Sequence, residues 1–92
     1  MTQEIEVLFD VAVLGKQIEQ FFGSDVGGYL LQRADAEVAS GVAQLKKLAH
    51  TDANGIRLAQ NQVWRGESIR GWLEEAITAG RKAEAVLDDR DE

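Results

Sequence analysis

The chain contains no cysteine and no proline, and only one histidine and one methionine in 92 residues. Without cysteine there can be no disulfide framework and no thiolate zinc site, which suits a reducing compartment. A single histidine removes the common zinc patterns, and no Glu-x-x-His pair exists for a carboxylate-bridged metal site in a bundle. No uncharged apolar run approaches the roughly 20 residues of a membrane span. The first residues, MTQEIEV, are acidic where a secretory leader would be basic. These absences lead us to expect one soluble, intracellular domain over 1–92, with a modest core, no cofactor, no metal and no membrane association.

The charge present is mostly negative and unevenly spread. The net charge is −6, made of −5 over residues 1–45, +3 over 46–82 and −4 over 83–92. An acidic chain repels phosphates and anionic lipid, so direct nucleic-acid binding is not expected. Arg57, Arg65, Arg70, Arg81 and Lys82, interleaved with two tryptophans, could imitate a single-strand binding surface. Glu67, Glu74 and Glu75 lie among them and argue against it.

Apolar periodicity predicts an all-α fold of three helices. Leu31, Ala34, Val38, Gly41, Leu45 and Leu48 recur at alternating spacings of three and four, placing a helix at about 24–50. Ser24 and Asp25 suit its start, and Lys46, Lys47 and His50 its end. Thr51 or Asp52 can cap a last helix over about 52–87, with an arc of Ile56, Ala59, Val63, Ile69, Leu73, Ala76, Ile77, Ala83 and Leu87. Gly66 and Gly80 fall in that arc. Helical glycine costs about 1 kcal/mol against alanine, so the expected return is close approach of another backbone. Residues 88–92 read as a frayed acidic tail.

The first segment is ambiguous. Val7, Val11, Leu14, Ile18 and Phe21 form a helical stripe, while Ile5, Val7, Phe9, Val11 and Val13 alternate as in a strand. No other segment offers a pairing strand, so the expectation is a helix at about 3–22, packed on a long helical hairpin. That helix is then apolar on two sides, because Ile5, Phe9 and Val13 lie opposite the Val7–Phe21 stripe. A surplus of this kind points either to an interface or to a third helix that wraps far enough to cover both sides.

Helical spacing also separates the tryptophans. Trp72 neighbours Ile69 and Ala76, so burial is expected. Trp64 neighbours Gln60, Asn61, Glu67 and Ser68, a polar face, with Arg57 and Gly71 a turn away, so it either folds across Gly71 under the first helix or anchors an interface. Tyr29 lies opposite the Leu31–Leu48 stripe. The candidate interface is therefore Ile5, Phe9, Val13, Tyr29, Arg57 and Trp64, with no catalytic group among them. Ser24, Ser40 and Ser68 have no nucleophile-elbow motif around them, and GSDVGG at 23–28 lacks the Lys-Ser/Thr of a phosphate loop.

The turn Ser24-Asp25-Val26-Gly27 into Tyr29-Leu30, the stretch Gln60–Trp64, Trp72-Leu73, and Ala79-Gly80 leading to Ala83 resemble a group of small helical proteins of tailed bacteriophages and prophages. The resemblance covers most of the chain and implies a host bacterial cytoplasm or a virion as its setting. It transfers no site residues. With it, the expected function is non-catalytic protein–protein contact in virion assembly or DNA packaging, including self-association through the first helix. The alternative is a phage-made inhibitor of a host or defence protein that works through its acidic surface.

Overall fold

A computed structural model describes residues 2–91. They form α1 (Thr2–Phe22), α2 (Asp25–Lys47) and α3 (Ala53–Asp91), with no strand among them, so the alternation in the first segment yields to helix. Both α1 and α2 pack along α3 and meet each other far less. Cross-contacts fix the directions: Gly15 lies against Gly80 and Glu4 reaches Arg90, while Gly41 lies against Ala59 and Ala34 against Gly66. Thus α1 and α2 follow one another along α3, each antiparallel to it. The first helix lengthens the hairpin arm instead of covering its face.

At about 1.5 Å per residue, the 39 residues of α3 span roughly 58 Å, in line with the 60 Å long axis of the molecule. The radius of gyration is 18.5 Å, against about 12 Å for a globular chain of this length. The shape is a rod.

The seam between the arms follows a seven-residue repeat, the spacing that keeps two helices in register. Gly27, Ala34 and Gly41 are buried in α2; Ala59, Gly66 and Gly80 are buried in α3; Gly15 is buried in α1. Small residues at these positions let the backbones approach closely. A Cβ added at Gly80 would lie 2.9 Å from the Gly15 Cα and 3.1 Å from the Val11 carbonyl.

This close seam overturns the expected orientation of α1. The residues flanking buried Gly15 are half-buried Leu8, Val11, Ile18 and Phe22, whereas Val7 and Leu14 of the expected stripe are exposed. The smallest side chain, not the largest, sits at the contact, which turns the helix by about one position.

The elements end for local reasons. Ser24 caps α2: its Oγ accepts from the Gly27 N–H at 3.0 Å and donates to the Phe21 carbonyl at 2.6 Å. Leu48 leaves the helix in extended backbone, ending α2 three residues before the expected position 50. Asp52 starts α3, its Oδ1 accepting from the Gly55 N–H at 2.9 Å. The helix then runs past the expected end at Leu87. Asp88, Asp89, Arg90 and Asp91 continue it, and Arg90 pairs with Glu4 at 3.8 Å. Glu92 lies outside the described residues.

One glycine of the turn region is dispensable. A Cβ at Gly28 would meet nothing within 4 Å, and the residue sits inside the first turns of α2. Gly28→Ala is expected to stabilise the protein by about 0.5–1 kcal/mol, raising the thermal midpoint by several degrees. A lowered midpoint would contradict the open surroundings of this position.

Candidate interaction surfaces

Packing through small residues leaves many large apolar side chains exposed and most of the others only half-buried. The buried apolar residues are Ala34, Ala59, Ile77 and Ala83, and no large side chain is fully buried among the described residues. Among the described residues twelve large hydrophobic ones are exposed, including five of the six candidate interface residues. The structure sorts the six into separate places.

Ile5, Phe9 and Val13 come together on α1. With Ala12 they line an open groove of about 630 Å³, walled by Leu87, Glu84 and Asp88 of α3 and by Lys16, Gln17 and Gln20. Phe9 is 60% exposed there. The third helix does not wrap over this side.

Trp64 stands on the middle of α3 at 63% exposure, and Trp72 beside it at 62%. The expected burial of Trp72 is incorrect. The two rings flank Ser68 and, with Arg65 and Ile69, line a second groove of about 260 Å³. The reason is register: counted from Gly66 and Gly80, position 72 falls one residue before a seam position, on the flank of the rod. Tyr29 is exposed on α2, and Arg57 sits near the start of α3 beside Asn54 at 3.5 Å; neither lines these two grooves.

Charge distinguishes the two flanks of the seam. On one flank Lys16 pairs with Glu84 at 3.6 Å and Arg81 with Glu19 at 3.0 Å. Arg70 reaches Asp35 at 2.9 and 3.2 Å and Glu74 at 3.5 Å. The hydrogen bonds that Arg70 donates to Asp35, together with the charge of that carboxylate, outweigh desolvation and hold the Arg70 guanidinium pKa above its ordinary value. The other flank has Arg65 and Arg33 on Glu37, at 3.6 and 4.0 Å, and the terminal Glu4–Arg90 pair. Between these two points it carries Val7, Leu14, Phe21 and Val26 from one arm, and Ile69, Trp72, Ala79 and Val86 from the other. Exposed Val7, Leu14, Val26 and Val86 were not in the sequence-based set; the seven-residue count from Gly15, Gly27 and Gly80 identifies their flank.

No group of three or more His, Asp or Glu side chains converges to hold a metal ion among the described residues, and no helix there is long and apolar enough to cross a membrane. His50 is exposed in the turn after α2. What the fold and surface define is an all-helical rod with a small-residue seam and apolar flanks. No family model, no curated protein and no solved structure matches the chain.

Proposed function

We propose that the protein works by binding other protein chains and carries out no chemistry of its own. The observation that supports this most is the exposed apolar surface: twelve large apolar residues stand exposed among the described residues, while most of the buried seam positions are glycine or alanine. Soluble monomers rarely keep apolar area on this scale uncovered. In the groove around Phe9, the open apolar floor and charged walls of Lys16, Glu84 and Asp88 suit the apolar ridge of a partner helix. Following the resemblance to small phage proteins, the setting we propose is assembly or packaging of a phage particle.

Mass spectrometry of purified particles tests this reading. The chain is expected among the structural proteins, and Phe9→Asp is expected to reduce its incorporation about tenfold or more without loss of helical signal, since the ring is exposed. Detection in infected cytoplasm alone would contradict an assembly role and favour the inhibitor alternative.

A further inference from the structure

The apolar stretch between the Arg33–Glu37–Arg65 cluster and the Glu4–Arg90 pair lies on the side of α1 away from the Phe9 groove, so its occupant is a separate question. Two observations bear on it. The first is area. The chain exposes 6858 Å² at a mass of 10.1 kDa, whereas a folded monomer of that mass exposes about 5,300 Å². The excess of about 1,600 Å² is twice the roughly 800 Å² that each partner buries in a standard interface, and falls in the range of permanent homodimers. The second is charge. Two chains of −6 repel one another over most of their surface. The stretch between the terminal pairs of this flank is apolar, and its border carries Asp10, Glu75 and Lys82, which make no ion pair among the described residues.

Glu75 precedes Ala79 by four residues and Lys82 follows it by three. If a two-fold axis passes at Ala79 and runs α3 antiparallel to its copy, Glu75 of each chain comes within one residue, about 1.5 Å, of the level of Lys82 of the other. Trp72 then lies over Val86. We propose that a second copy of this chain docks on this flank across such an axis, so that the paired α1 and α3 of the two rods form a four-helix bundle. The interface is isologous, so one charge pair is made twice and one apolar strip covers itself.

Size-exclusion chromatography with light scattering at about 100 μM should give twice 10.1 kDa for the wild type. Leu14→Glu is expected to weaken the dimer about 100-fold or more, since a carboxylate would enter the dry strip. Phe9→Asp, on the other side of α1, should leave the dimer intact. Glu75→Lys and Lys82→Glu should each weaken it about fivefold, and the double exchange should restore it. Because the chain has no cysteine, Ala79→Cys under mild oxidation should give a disulfide-linked dimer. A monomeric wild type would overturn the proposal and leave the Phe9 groove reading standing. So would a dimer broken by Phe9→Asp and indifferent to Leu14→Glu. If Leu14→Glu fails to fold, the charge exchange and the single thiol decide: no rescue and no cross-link would overturn the two-fold at Ala79.

Discussion

Gly27→Ala is expected to be the most damaging single-methyl substitution in the chain. A Cβ at Gly27 would lie 1.6 Å from the Phe21 carbonyl oxygen and 2.5 Å from its carbon. That oxygen also accepts the Ser24 hydroxyl, so it cannot retreat without loss of the contact that tightens the turn. Alanine is the better helix former by about 1 kcal/mol, but relieving a backbone clash of this depth means reopening the junction between α1 and α2. The net cost is expected to be about 3 kcal/mol or more, a fall in thermal midpoint of roughly 15 °C or more. Comparison with Gly28→Ala, one residue on and of opposite expected sign, isolates the clash from propensity. A Gly27→Ala midpoint within about 3 °C of wild type would contradict the close junction.

The second large effect concerns the crossing of α1 over α3. Gly80→Val places a branched side chain where even one methyl would meet the Gly15 Cα at 2.9 Å and the Val11 carbonyl at 3.1 Å. Both obstacles are backbone, so the helices must move apart. Separation would also loosen Lys16–Glu84 and Arg81–Glu19, exposed pairs that add little by themselves. The expected cost is about 3 kcal/mol, read as a lower urea midpoint. Hydrogen exchange should show α1 amides losing protection before those of α2, because α2 keeps its own contacts with α3. Equal protection across α1 in the variant and the wild type would contradict a crossing that depends on Gly80.

The helices were legible because their caps and apolar spacings are local. Ser24, Asp52 and the Leu31–Leu48 stripe mark starts and faces that need no knowledge of a partner. Gly66 and Gly80 were also legible as points of close approach. The orientation of α1 was not, since hydrophobicity points to Val7 and Leu14 while the contact is decided by Gly15, the residue with nothing to bury. Trp72 failed for the same reason: its neighbours Ile69 and Ala76 are apolar, but the seam runs through Gly66 and Gly80 and leaves position 72 on the flank. Where packing is backbone to backbone, the seven-residue spacing of glycine and alanine reports the inner face better than the large side chains do. Of the candidate interface, Ile5, Phe9 and Val13 form one surface, while Trp64 belongs with Trp72 on another. Sequence spacing alone could not separate those surfaces, because the distinction comes from which flank α3 offers to α1.

The measurement that bears most directly on the central claim, a rod whose apolar flank is covered by its own copy, is thermal unfolding of the wild type at about 1 and about 100 μM. If folding is coupled to association, the hundredfold change in concentration should raise the midpoint by about 5–10 °C. Superimposable unfolding curves at the two concentrations would mean that the rod is stable alone, and would contradict the claim.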